Sequence, residues 1–473
     1  MEGVALLADP IHGYIQFTVP RETDPAEPTE KALIDNPWVQ RLRFIHQLQS
    51  TWWVYPSGEH SRFQHSLGTM HLAGRFAEHL YPSLAEVCRT LREPCPSFPL
   101  VHATLRAAGL LHDVGHGPFS HFFDENFLQP RFRLTHEILG QRIIVQKLGT
   151  ILHGLRRSPA GPFPPRERVE PRWVAFLIRK PAEEDGPAVP RWVRLLRPVF
   201  SGIYTADNLD YIQRDAYMTG FSLEMVDVER LLFYTFVDPQ KGLTIHRAGV
   251  PVLVRFLQAR VAMYSDVYYH RTNRAVDLQM REVFAETMAE LVPENPARRL
   301  NRYLGMTEWF LLQKVQEWAA PGARGVTRRQ RVLGRGWRDI LARRVKWKMA
   351  YDRVLSLDEA DQGKRFRNAD ELKREIRRHL PPRLRDLPFE VDLATQDTRP
   401  LNPLAEGAKT VNVFNPATGE VSPSPLREFF QQIPPKVAHC RIFARNHRHD
   451  RALAEAAERA LGGGGPEVSA TNL

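Results

Sequence analysis

Residues 107–121 read AAGLLHDVGHGPFSH. The run Leu105–Leu111 is apolar apart from Arg106 and free of glycine until Gly109, which suits a buried helix. Gly115, Gly117 and Pro118 then fall within four residues, which stops a helix and forces a turn. The helix therefore delivers His112 and Asp113 to a break in the fold, with His116 on the turn and His121 on the next helix. Imidazoles and a carboxylate gathered in an apolar core need partners, because desolvation is costly. A divalent metal serves all of them, since it accepts neutral imidazole nitrogen and carboxylate oxygen together. Taken alone, in a chain with 18 histidines, His112–Asp113 reads first as a hydrogen-bonded pair at a helix end.

Composition narrows the field. The chain has 473 residues, 43% hydrophobic and 25% charged, which suits a globular protein with one large domain and appendages. No apolar run approaches the roughly 20 residues of a membrane helix, so no membrane partner is expected. MEGVALLADPIHGY lacks the basic start and apolar block of a secretory signal. Cys88, Cys95 and Cys440 have no metal-type spacing and read as ordinary thiols, so a cytoplasmic location is expected. The net charge of +11 favours anionic partners without choosing among them.

The rest of the chain supplies further candidates. DPIHGYIQFT reads as a strand pair or extended arm. A helix can start at Asn36, with Pro37 in its first position, and run to about Leu48. Trp52 and Trp53 read as wedged core residues rather than a base-stacking platform. Ser61 can cap a helix that carries Arg62 and His65 on one face and continues to about Leu80. SHFFDENFL and LTHEILGQRII read as helices, the second carrying His136. Residues 155–200 hold two Pro-rich charged loops around a helical WVAFLI.

Asp207, Asp210 and Tyr211 share helical spacing, with Asp215 about a turn beyond. Asp207 and Asp210 cannot both be buried as bare carboxylates, so one needs a cation or an arginine. LTIHR starts as a strand. One long helix follows from near Pro251, with Arg260, Tyr264, Tyr268 and Arg271 along one side, and helical reading continues to about Arg385. Within it, Arg324–Lys348 holds ten basic residues against Asp339. That is a solvated face or a site for a phosphate-rich regulator or nucleic acid. PFEVDLAT, KTVNVFNP and HCRIFAR read as strands.

RFQHSLGTMHLA, GLLHDVGHGPFSHFFD, THE and DNLDYIQRD, taken in order, resemble the HD-domain metal-dependent phosphohydrolases. The branch they resemble is that of the deoxynucleoside triphosphate triphosphohydrolases (dNTPases), including members that join a SAM domain to the HD domain. The resemblance covers roughly Asp9 to Arg271. It implies a helical HD-domain core, placed over residues 1–300, and the helical reading beyond it gives a helical, basic extension over 301–385, so a mainly α fold is expected. A smaller α+β C-terminal lobe over 386–461 and a flexible tail over 462–473 complete the expected division.

It also implies His65, His112, Asp113 and Asp207 as ligands of a first-row metal such as Mn, Fe, Ni or Zn, with Mg accompanying the triphosphate. His116, His121, Asp124 and His136 match acid/base and phosphate-contacting groups. Arg62 and Arg260 match phosphate-holding arginines. Gln47, Leu48, Tyr211, Asp215 and Tyr268 match substrate contacts, with Gln47 and Asp215 on the 3′-hydroxyl and Tyr268 and Leu48 crowding the 2′ position. Members of the branch commonly carry a Lys after the last metal aspartate, and here Asn208 stands there.

The expected reaction is water attack at the α-phosphorus of a deoxynucleoside triphosphate, giving deoxynucleoside and inorganic triphosphate. Expected partners are the nucleotide substrate, a nucleotide regulator, nucleic acid at residues 324–348 and further copies of the chain. Two alternatives stay open. One is an HD phosphoesterase acting on another nucleotide or on single-stranded nucleic acid. The other is a non-catalytic nucleic-acid-binding protein.

Overall fold

A computed structural model describes residues 2–179, 189–222, 226–356, 368–397, 411–422 and 436–462. Residues 180–188 of the second charged loop and 463–473 of the tail lie outside these. The protein is mainly α, with a few small sheets. It divides into two compact units that interleave in sequence. The first comprises residues 1–263, 288–314 and 400–429; the second comprises 264–287, 315–399 and 430–473. Among the described residues, no helix is long and apolar enough to cross a membrane.

In the first unit, the helix Phe98–Leu111 starts at Ser97, whose side chain accepts from Leu100 N, and is buried at every residue from Leu100 onward. It lies along the helix Arg62–Leu91. A Cβ on Gly109 would fall 2.6 Å from Thr69 O, so glycine is what lets the two backbones approach. Arg106 on the buried helix needs a counter-charge, and buried Glu30 supplies it. Glu30 Oε1 accepts from Arg106 Nε at 2.6 Å, and Glu30 Oε2 accepts from Thr18 N at 2.9 Å. This ties the helix to the N-terminal hairpin, whose strands Val4–Asp9 and Gly13–Thr18 pair antiparallel.

Three helices depart from the sequence reading. The helix from Arg62 continues past Leu80 to Leu91, with Pro82 inside it, because Leu84, Val87 and Cys88 keep the buried face going. The helix begun at Pro37 is α-helical only to Gln40, tightens to a 3-10 turn over Arg41–Phe44, and stops there. Beyond it Ile45 O accepts from Arg62 N at 3.0 Å, so tertiary pairing takes the backbone away from the helix. The long helix from Pro251 is Val250–Met263, then a wider turn over Tyr264–Tyr268, then a separate helix Arg271–Leu291. The KTVNVFNP run forms a strand, Asn412–Asn415, which pairs parallel to Gly242–His246 in a four-stranded sheet of the first unit.

In the second unit, strand Lys436–Ala444 lies between Lys348–Ser356 and Phe389–Asp397, antiparallel to both. Lys348–Ser356 falls where helical reading was expected to continue; pairing along Lys436–Ala444 decides it. Leu372 and Ile376 from the helix Ala369–His379, and Leu453, Ala456 and Ala457 from Asp450–Ala460, pack on Val391, Cys440 and Ile442 of the sheet. The basic helix Arg328–Leu341 buries Leu333, Trp337 and Ile340, and Trp337 Nε1 donates to Thr287 Oγ1 at 2.9 Å. Its Arg328, Arg329, Arg331, Arg335 and Arg338 are exposed.

Two outcomes follow. Glu30→Ala leaves a buried guanidinium unpaired and lowers stability by about 3–5 kcal/mol; urea unfolding measures it, and a loss within error of zero contradicts the pairing. His71 on the Arg62–Leu91 helix is lowered from 6.5 to about 4 by burial, then by nearby His12, Arg106 and Arg75. A neutral ring with a depressed folded value contributes stability that is whole above pH 6.5 and is lost as pH falls towards 4. His71→Gln therefore flattens the fall of the urea midpoint across that window, and an unchanged slope contradicts the assignment.

Candidate metal centre

The helix Phe98–Leu111 ends where expected and hands His112 and Asp113 to a tight turn, in which His116 N donates to Asp113 O at 3.0 Å. His112 Nδ1 donates to Gly109 O at 2.7 Å, which leaves the Nε2 lone pair facing outward. On the Arg62–Leu91 helix, His65 Nδ1 donates to Asp210 Oδ2 at 2.8 Å, which frees its Nε2 in the same way. The two Nε2 atoms stand 3.1 Å apart. Asp207, in the first turn of the helix Ala206–Thr219, places Oδ1 3.1 Å from His65 Nε2 and 3.6 Å from His112 Nε2. Asp113 Oδ1 lies 3.3 Å from His112 Nε2, while its Oδ2 accepts from Arg62 Nη1.

These distances are those of ligand atoms that converge on one ion. His65, His112 and Asp207 form a group able to hold a metal, and Asp113 borders it. Two imidazole nitrogens with carboxylate oxygens fit a first-row divalent ion. The electrostatics agree. Burial opposes charge on His65, yet hydrogen bonds to Asp207 and Asp210 outweigh it and raise the ring to about 10. Burial likewise opposes charge on Asp113, and Arg62, His112 and His116 hold it well below the usual carboxylate range. The cluster thus favours a positive charge between its members. It meets solvent at Asp207, whose side chain is 38% exposed against 1% for His65.

A second group stands beside it. The His116 and His136 rings stack 3.7 Å apart, and His121 meets each edge-on at 4.9 and 5.1 Å. His136 Nδ1 donates to Asp124 Oδ2, which fixes its tautomer. Burial first, then Arg62 and His136, hold His116 neutral. Close packing, then His136 and Arg62, lower His121 in the same direction. Arg62 Nε donates to Ser120 Oγ at 2.6 Å, so one guanidinium touches both Asp113 and the turn before His121.

Of the expected substrate contacts, Gln47 and Leu48 lie on the segment after the 3-10 turn, Gln47 N donating to His60 O at 3.0 Å. Asp215 is buried and accepts from His60 Nε2 at 2.7 Å. The Tyr211 ring stands edge-on to His65 at 6.4 Å. Arg260 closes the helix Val250–Met263 in the first unit, whereas Tyr268 belongs to the second, where its ring meets Tyr264 at 4.8 Å. Asn208 is buried and serves as a cap: its Oδ1 accepts from Thr205 N at 2.7 Å and its Nδ2 donates to Ile203 O at 3.2 Å.

Two supporting residues were not anticipated. Buried Arg41 donates to Val114 O and His116 O of the central turn and to Leu304 O and Met306 O of a distant segment. Glu308, fully buried, accepts from His46 Nδ1 at 2.7 Å, Trp52 Nε1 at 3.3 Å and Phe119 N at 3.3 Å. It thereby anchors Phe119 and Ser120, which hold φ of 57° and 54°, a costly pair of left-handed non-glycine residues directly before His121. The only local signal for Glu308 and Arg41 is a charge inside an apolar pattern, which does not name its partner.

A Cβ on Gly115 would fall 1.9 Å from His136 O and 2.5 Å from Gly140 N. Gly115→Ala is therefore expected to push the helix His136–Lys147 off the turn, at a cost of about 1–3 kcal/mol or more. Thermal unfolding measures that cost, and the histidine ring resonances report whether His136 has left His116; an unperturbed spectrum contradicts the packing.

The HD domain family model matches residues 62–154. The uncharacterized protein YwfO of Bacillus subtilis is 30% identical over 276 residues, 58% of this chain and 54% of that protein. The deoxynucleoside triphosphate triphosphohydrolase SAMHD1 of Bos taurus is 29% identical over 298 residues, 59% of this chain and 47% of that protein. The chain thus spans about half the length of these relatives. A solved structure of a hypothetical protein from Aquifex aeolicus superposes with a TM-score of 0.65 at 23% identity, over 97% of this chain and 100% of that one, and so shares the fold. His65, His112 and Asp113 fall inside the matched stretch and Asp207 beyond it: the chain contains an HD domain over residues 62–154.

Proposed function

We propose that the chain is a metal-dependent phosphohydrolase that converts deoxynucleoside triphosphates to deoxynucleoside and inorganic triphosphate. The observation that carries this reading is the convergence of His65 Nε2, His112 Nε2 and Asp207 Oδ1 within 3.1–3.6 Å of one another, beside three packed imidazoles. His65, His112, Asp113 and Asp207 would hold the ion. When bound it supplies Lewis acidity and a water of lowered pKa.

The chain's own groups do the rest. Arg62 is held rigid by Ser120 and Asp113, so its remaining N–H groups are oriented for phosphate oxygen. Neutral imidazoles at His116 and His121 can donate to phosphate oxygen without competing for the cation site. His136 is kept by Asp124 in the tautomer whose Nε2 accepts a proton. Water oxygen bonds to the α-phosphorus, the bond to the 5′ oxygen breaks, and the proton lost by water is returned to that oxygen through this group. Gln47, Leu48, Tyr211, Asp215 and Arg260 are the proposed substrate contacts, while Tyr268, in the second unit, is named by the resemblance alone.

Asn208 favours a second reading. Its polar atoms are spent on capping, so the position adds no cation for a triphosphate. An HD phosphoesterase acting on another nucleotide, or on single-stranded nucleic acid held by the exposed arginines near residues 324–348, fits that loss. A nucleotide regulator and a homo-oligomer belong to the leading proposal.

Incubation with each deoxynucleoside triphosphate, with GTP and with mixtures, in Mn²⁺ or Mg²⁺, is expected to yield deoxynucleoside and triphosphate on anion-exchange chromatography while GTP is spared. Shortened oligonucleotides with untouched nucleotides would move the assignment to the second reading. His112→Ala and Asp113→Ala are expected to lose bound metal and fall to background turnover with the helical circular dichroism retained. Full turnover in either variant contradicts the metal role.

A further inference from the structure

We infer that His12, at the tip of the N-terminal hairpin, is a positioning residue of the metal centre, acting on His65 through Asp210. This rests on the reading of His65 as a metal ligand.

Asp210 is fully buried, and each of its oxygens takes two donors. Oδ2 accepts from His65 Nδ1 at 2.8 Å and from Arg214 Nε at 2.9 Å. Oδ1 accepts from His12 Nε2 at 2.6 Å and from Arg214 Nη2 at 2.9 Å. A carboxylate behind a metal-ligating imidazole sets the ring's tautomer and angle, and such outer partners are worth about 10–100-fold in metal affinity. Here the carboxylate is itself held by a histidine that lies 198 positions away in the chain.

The hairpin is built to hold His12 in place. Asp9 Oδ1 accepts from Ile11 N at 2.9 Å and His12 N at 3.0 Å, closing the turn. Gly13 supplies the positive φ of 71° that follows. The two oxygens of Asp9 also take Arg214 Nη1 and Nη2 at 2.9 and 3.2 Å, so the arginine that brackets Asp210 brackets the turn as well. The His12 side chain is 7% exposed and its ring lies 5.1 Å from that of His71 on the His65 helix. Gly68 leaves the space: a Cβ there would fall 1.8 Å from Asp210 Oδ1. One guanidinium, Arg214, is shared between the carboxylates of Asp210 and Asp9, so it does not by itself satisfy both. What His12 adds is a second direction of pull, which stops Asp210 from turning about the guanidinium and carrying the His65 ring with it.

The test reads metal binding with Co²⁺ as the probe. The unsubstituted protein, His12→Gln, His12→Leu and His112→Ala are loaded with Co²⁺, and affinity is measured by chelator competition together with the visible spectrum. His12→Gln keeps a donor and is expected to bind within a few-fold of the unsubstituted protein. His12→Leu fills the space without a donor and is expected to bind about 10–100-fold more weakly, with an altered cobalt spectrum and unchanged circular dichroism.

Equal affinity and spectra for His12→Leu and the unsubstituted protein overturn the inference, as does equal loss in the glutamine and leucine variants. The metal reading fails separately, if the unsubstituted protein and His112→Ala bind Co²⁺ alike. A measurement without substitution guards against a variant that does not fold. With ¹⁵N-labelled histidine, Zn²⁺ is expected to shift the His12 ring resonances together with those of His65, and a His12 signal unmoved by zinc overturns the inference.

Discussion

The Asp210 carboxylate, taken wholly out of water, is the interaction around which the centre is arranged. A bare carboxylate at that depth would be driven to its neutral form. Instead Arg214, His12 and His65 surround it and hold it well below its ordinary range against the cost of burial. Meeting its hydrogen-bonding demand joins three parts of the first unit: the N-terminal hairpin, the helix Arg62–Leu91 and the helix Ala206–Thr219. The same bonds turn the His65 Nε2 towards His112 and Asp207. Packing and ligand geometry therefore have one cause here, and a change behind the site is a change in it.

The opposite side of the site is held by backbone strain that distant charges offset. Phe119 and Ser120 take a conformation that side chains rarely adopt, and Glu308 and Arg62 hold it through Phe119 N and Ser120 Oγ. Arg41 fixes the carbonyls on either side of Gly115. Each is a buried charge whose worth lies in geometry more than in net stability, since burying the charge costs about as much as pairing it returns. The His112–Asp113 turn and the His121 turn are thus both set by residues from segments far along the chain, Arg41 and Glu308 among them. That suits a site whose groups must be held to within about 0.5 Å of their working positions.

Much of this was legible in the residues. The apolar run ending at Gly115–Pro118 marked the buried helix and the break that presents His112 and Asp113. Ser61 stood where a helix begins, and the residues after it set the face that carries Arg62 and His65, while helical spacing placed His136 and Asp207 on helices of their own. The need of Asp207 and Asp210 for a positive partner followed from their spacing alone, and Arg214 met it at Asp210. Helix ends were harder to read: the end expected near Leu80 was overridden by continued burial at Leu84, Val87 and Cys88, and the apolar spacing to Leu48 suggested a continuation that strand-like pairing with the Ser61–Arg62 backbone cut short. Lys348–Ser356 became a strand because a partner edge was there to take it.

By itself, then, the sequence determined the helical character of the core, the turn at its centre and the set of side chains able to meet there, because periodicity, caps and glycine act over a few residues. Tertiary structure alone decided which distant charges close on those side chains: His12 behind Asp210, Arg41 on the 114 and 116 carbonyls, Glu308 beneath Phe119, and Asn208 turned inward as a cap. It also sent Asn412–Asn415 to the sheet of the first unit and interleaved the two units along the chain. The reason is physical. A buried charge requires a partner, but nothing local to it states which residue, hundreds of positions away, will be brought within 3 Å.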